Sequence, residues 1–140
     1  SGTIPAETLE EMQSGQVDRP AAQESFGIQA RNLARLSAEG VTIAFGTDGG
    51  SPWAAHQELE DMVRTGMSPA DVIVAATSAS AAVMKMPDVG TIAPGMVADL
   101  LILDANPIDD ITNTRRISAV YLRGQAIDRE ALGARLRGGE

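Results

Sequence analysis

The pattern of apolar and polar positions divides the 140-residue chain into a helical first part and a strand-rich remainder. Residues 1–19 are polar and read as loop, with at most a short helix around Glu7 to Met12. Pro20 stands where a helix would start; Phe26, Ala30, Leu33 and Ala34 recur at helical spacing, and Gly40 suits the helix end. Val41 to Phe45 is a short, continuous apolar run rich in β-branched residues, which predicts a buried parallel strand. A helix over Ala55–Thr65 follows, with Leu59, Met62 and Val63 on one face and Gly66 closing it. Ser68-Pro69-Ala70-Asp71 is a helix-start signal: a capping hydroxyl, a proline at the first helical position and an acid in the first turn. Val72, Ile73 and Ala76 form the apolar stripe of that helix, and the alanine-rich run Thr77–Met86 continues as helix to Pro87 and Gly90.

Beyond residue 90 the period changes. The run VADLLIL (97–103), entered through the turn Ala93-Pro94-Gly95, predicts a strand, and Asp104–Asp110 a turn. ISAVYL (117–122) predicts a second strand, with Arg123-Gly124-Gln125 turning into a short third one. Asp128 caps a last helix carrying Leu132 and Leu136. One predicted strand in the α/β part cannot satisfy its own backbone donors and acceptors. The chain therefore reads as a piece of a larger fold.

Composition narrows the classes. Hydrophobic residues make up 44% of the chain, enough for a globular core, but aromatics are only 3%, so aliphatic side chains must do the packing. The net charge of −8 argues against nucleic acid and anionic membrane surfaces as partners, which attract basic faces. With no cysteine, disulfides, thiolate metal sites and thiol nucleophiles are excluded. No apolar run reaches the roughly 20 residues that cross a bilayer, and the N-terminal residues do not read as a signal peptide. A cytoplasmic location is the resulting expectation.

Two positions carry candidate chemistry. Asp48, in FGTDGG directly after the predicted strand, sits where α/β folds gather catalytic groups. The alternative is a solvated turn whose aspartate caps the next helix. His56 is the sole histidine and falls near the start of that helix; it suits a metal ligand or a substrate contact, or an exposed helix-start residue. Glu58, Glu60 and Asp61 read as a solvated acidic face, with Glu58 nearest the pocket side. One histidine with scattered carboxylates is thin for zinc. Ser51, His56 and Asp48 would spell a triad, but no G-x-S-x-G is present, and no phosphate-binding glycine motif occurs. Met62, Met67, Met84 and Met86 read as core filler.

Three segments in order carry a resemblance: GVTIAFGTDGG (40–50), HQELEDMVRTGMSPADVIVAATSASAAVM (56–84) and VGTIAPGMVADLLILDANPIDDI (89–111), with ISAVYLRGQAI (117–127) as a closing hairpin. Together they resemble the C-terminal part of the amidohydrolase superfamily, close to its imidazolonepropionase-like and prolidase-like members. The resemblance implies an α/β fold, the C-terminal part of a (β/α)8 TIM barrel followed by strands of a small β-sandwich. Residues 1–88 would belong to the barrel, 89–127 to the sandwich and 128–140 to a C-terminal helix or tail.

It also implies hydrolysis of a C–N bond in an amide, lactam or dipeptide-like small molecule. The cofactor would be one or two divalent metal ions, zinc first. Asp48 matches the family's aspartate, a metal ligand that takes a proton from the attacking water and passes it to the departing nitrogen. His56 matches a histidine on the substrate side, although Gln57 stands where a glycine is frequent. The family's remaining ligands, a His-x-His pair, a mid-barrel lysine or glutamate and two later histidines, cannot come from a chain with one histidine. The expectation is therefore a C-terminal part, inactive alone, that forms a homo-oligomer or associates with the missing barrel portion. The alternatives are a non-catalytic structural or interaction module of the same fold, and a small acidic domain binding a cationic ligand.

Overall fold

A computed structural model describes residues 20–47 and 53–138. The expected helix around Glu7–Met12 and the residue Asp48 lie outside the described residues. The chain divides into two units, Gly27–Ile127 and a smaller one made of Ser1–Phe26 with Asp128–Glu140. No helix among the described residues is long and apolar enough to cross a membrane.

In the larger unit, helix α1 (Pro20–Ala38, which begins in the smaller unit) runs to Gly40, whose φ of +78° ends it in the left-handed region that glycine tolerates best. Helix α2 (Ala54–Arg64) stops at Gly66, φ +108°. Helix α3 (Pro69–Val74) starts as the sequence signal requires: the Ser68 hydroxyl accepts the Asp71 N–H at 3.1 Å and donates to Asp71 Oδ2 at 2.6 Å, with proline at the first position. The rod then widens into a π-turn over Ala75–Ala79 and tightens again as helix α4 (Ser80–Val83). It ends four residues before Pro87, where Lys85 adopts φ +57°. That reversal corrects two of the methionine assignments: Met62 and Met67 are buried, but Met84 and Met86 turn outward and are 68% and 47% exposed.

Leu59, Met62, Met67, Val72, Ala75 and Ile111 form the core, with Leu33, Ile43, Phe45, Val63, Ile73 and Ala76 packed against it. The predicted strand at Val41–Phe45 is corrected here. Residues 41–47 have no ladder partner among the described residues; Ile43 and Phe45 pack inward while Val41 is 48% exposed. A strand needs a neighbouring backbone, and what meets Phe45 is a helix. Its N–H is shared between the Ala75 carbonyl (3.1 Å) and Ser80 Oγ (2.9 Å), while the Ser80 hydroxyl donates to the Ala75 carbonyl at 2.7 Å. These contacts fall on the first residue of the π-turn, where i→i+5 pairing replaces the usual i→i+4 pairing.

The sheet holds β1 (Leu100–Leu103), β2 (Ile117–Leu122) and β3 (Gln125–Ala126), all antiparallel, in the order β1-β2-β3. Leu100 faces Tyr121, and the register shifts between Ile102 and Leu103. Arg123 and Gly124, both with positive φ, make the two-residue turn that matches strand twist. Asp99 secures it, accepting the Arg123 N–H at 2.6 Å. A 3-10 helix, Ile111–Arg115, links β1 to β2 and packs on α2. In the smaller unit, helix α5 (Arg129–Gly138) is capped by Asp128, whose carboxylate accepts the Ala131 N–H at 2.9 Å, and Leu136 is 79% exposed.

Candidate functional site

Two elements bear on the candidate residues. Residues 41–47, pinned at Phe45 by the π-turn, lead directly into Asp48. Helix α2 begins just after, and His56 lies in its first turn. His56 and Glu60 are one turn apart on one face of α2, so both meet the same neighbour. That neighbour is the 3-10 helix. His56 Nδ1 lies 3.2 Å from Thr114 Oγ1, and Glu60 Oε1 accepts from Arg115 Nε at 2.6 Å. Arg64 reaches Glu60 Oε2 at 3.5 Å and also pairs with Asp61. The 3-10 helix is held by Asp110, whose Oδ1 accepts from the Thr112 N–H (2.9 Å) and hydroxyl (2.7 Å); these bonds hold its carboxyl below the usual range.

The solvated acidic face is corrected at Glu60. It is only 8% exposed because the i, i+4 relation to His56 turns it inward, where Arg115 and Arg64 balance its charge. Glu58 is half-buried and partnered, and Asp61 pairs with Arg64 and Gln57. Glu60→Ala should cost about 2–3 kcal/mol, below the full penalty for orphaning a buried ion because Arg115 still reaches water. Urea unfolding checks it, and Glu60→Ala/Arg115→Ala should lose less than the two single changes summed. A strictly additive result would sink the pairing.

Burial lowers the His56 pKa first, the Arg115 charge lowers it further, and Glu60 opposes both. The shift favours the neutral imidazole. The folded state releases its proton more readily than the unfolded state, so the stability His56 contributes is complete above pH ~6.5 and is lost as pH falls below that value. Urea midpoints at pH 7.5 and 5.5 should diverge more for the wild type than for His56→Gln; equal divergence would exclude His56 as the source.

Sequence reasoning missed Thr114 and Arg115 as partners. The available signal was Asp110-Ile111-Thr112, a capping aspartate in a stretch read only as a turn and a gap before the next strand. No group of three or more His, Cys, Asp or Glu able to hold a metal occurs among the described residues, and the one histidine commits Nδ1 to Thr114. By themselves those residues do not fit a metal centre. A surface hollow of about 430 Å³, lined by Asn32, Arg35, Leu36, Glu39 and Val41, sits at the far end of segment 41–47 from Thr47. His56, Thr114 and Arg115 are not among its lining residues.

A sequence profile of the Amidohydrolase family matches residues 3–127. The chain belongs to the amidohydrolase family. It is 38% identical over 94 residues to the imidazolonepropionase of Salinispora tropica, a match that covers 61% of this chain and 23% of that protein. Among solved structures, molinate hydrolase superposes with a TM-score of 0.66 at 27% identity, covering 94% of this chain and 37% of its own. A Xaa-Pro dipeptidase with methionine bound in its active site gives 0.64 at 32% identity, covering 70% of this chain and 25% of its own. The chain spans less than a third of the length of the curated relatives it matches. The mixed helix-and-sheet architecture agrees with the α/β class expected of this amidohydrolase family member.

Proposed function

We propose that this chain is the C-terminal segment of a hydrolase that cleaves a C–N bond in an amide, lactam or dipeptide-like small molecule. What supports the reading is the family match over residues 3–127, joined to relatives named as an imidazolonepropionase, a Xaa-Pro dipeptidase and a molinate hydrolase. In this reading residues 1–88 would complete a (β/α)8 barrel, and 41–47 would become its last strand only beside strand neighbours that the described residues do not supply. Residues 89–127 belong to a β-sandwich, and 128–140 form the C-terminal helix and tail.

Catalysis in a barrel gathers at the C-terminal ends of its strands, and Asp48 directly follows that end of segment 41–47. Its carboxylate would take a proton from the attacking water and return it to the departing nitrogen. His56, eight residues on, would bind substrate. A divalent metal, zinc in the first instance, would use Asp48 as the ligand this chain contributes, with the others supplied by polypeptide outside this sequence.

The test is hydrolysis of a dipeptide and lactam panel, with metal content, for this chain alone and mixed with the family's upstream barrel segment. Turnover only in the mixture is expected. Turnover by the chain alone would overturn its dependence on that segment, and none in either would overturn the hydrolase reading. The second reading, a non-catalytic interaction module, is favoured by exposed apolar residues such as Ile92 (87%), Met84 (68%) and Leu101 (57%). It predicts stable association, as a homo-oligomer or with the barrel segment, and no turnover.

A further inference from the structure

The Thr114 hydroxyl has one proton and two neighbours that could receive it. Its oxygen lies 2.8 Å from the Ile111 carbonyl, the ordinary length of an O–H···O bond. The 3.2 Å to His56 Nδ1 is long for a hydroxyl donor but falls within the range for N–H···O. The proton therefore goes to Ile111, and Thr114 Oγ1 accepts from Nδ1–H. Thr114 is 6% exposed, so water offers the hydroxyl little alternative. His56 is only half-buried, and its Nε2 has no hydrogen-bond partner among the described residues.

We propose that Thr114 fixes His56 in the tautomer protonated at Nδ1, leaving the Nε2 lone pair to accept a hydrogen bond from an amide N–H of the substrate. The substrate half of this rests on the reading above that His56 lies on the substrate side. An imidazole locked this way selects by donor. A lone pair repels a carboxylate and rewards an N–H, and the charges facing the ring, Arg115 and Glu60, are paired with each other and act on it in opposite directions. Thr114 is a positioning residue: it touches no substrate and acts only through the ring.

The single histidine makes the test clean, because a ¹⁵N-labelled chain has one pair of imidazole nitrogens. At pH 7.5 the two-bond ¹H–¹⁵N spectrum should show Nδ1 protonated and Nε2 bare. Thr114→Val should move the population to the Nε2–H form that dominates in free histidine, and Thr114→Ser should restore the wild-type pattern. A wild-type spectrum with Nε2–H, which needs no variant to fold, overturns the proposal, as does a Thr114→Val spectrum identical to wild type.

For the ligand, 2-imidazolidinone should shift the Nε2 resonance. Its 1,3-dimethyl analogue, which lacks N–H, should leave it in place, as should acetate. Equal shifts from both ureas overturn the acceptor role. A locked tautomer that ignores 2-imidazolidinone overturns the substrate half alone and leaves the assignment of Asp48 standing.

Discussion

In a hydrolase assembled with this chain, Asp48→Asn is expected to lower kcat by about 10²–10⁴-fold, the usual contribution of one positioned acid–base group. The amide keeps the size and one acceptor oxygen of the carboxylate but cannot take a proton near neutral pH. Water must then attack without a local base, and the departing nitrogen leaves unprotonated. The loss should sit in kcat more than in KM, because a proton shuttle acts in the transition state and hardly in substrate binding. Steady-state kinetics with matched circular dichroism spectra check it. Activity within about threefold of wild type would remove Asp48 from the mechanism and return the glycine-flanked segment to a plain turn.

The second large effect is structural and concerns Gly90, the first glycine of the stretch VGTIAPG. Its φ is +83°, and a Cβ there would lie 2.8 Å from the Ala81 Cβ, 2.9 Å from the Thr77 carbonyl oxygen and 3.0 Å from its carbon. Two of those atoms are backbone of the widened helical turn and cannot swing aside. Gly90→Ala should therefore combine left-handed strain with overpacking, about 3 kcal/mol together. Gly40→Ala is the control: φ is +78° but nothing lies within 4 Å of the added carbon, so only the strain of about 1 kcal/mol applies. Urea denaturation of both variants reads the difference, and equal midpoints would show that the contact with Thr77 relaxes freely. The consequence reaches beyond stability. Thr77 belongs to the same π-turn whose first carbonyl, with Ser80, holds Phe45 three residues before Asp48. A shift at Gly90 should therefore disturb the segment that leads into the candidate catalytic residue.

Periodicity, caps and turn chemistry were legible along the chain. The helix starting at Ser68-Pro69, the strand Ile117–Leu122, the Arg123-Gly124 turn and the cap at Asp128 are all where local rules put them. Each rests on interactions spanning a few residues, so a short window of sequence contains its cause. The motif residues of the resemblance were legible as a pattern but not as physics. Asp99, in the stretch VADLLIL, secures the turn at Arg123 across 24 residues, and Gly90 clears space for a helix turn folded back beside it.

The sequence by itself determined the family, the main helices and hairpin, and Asp48 and His56 as the residues to ask about. Only the tertiary structure decided that segment 41–47 is held by a helix instead of a strand, that Glu60 is buried, and that His56 faces Thr114 58 residues away. These outcomes depend on which backbone or charge arrives from a distant part of the chain, and neither periodicity nor local capping carries that information.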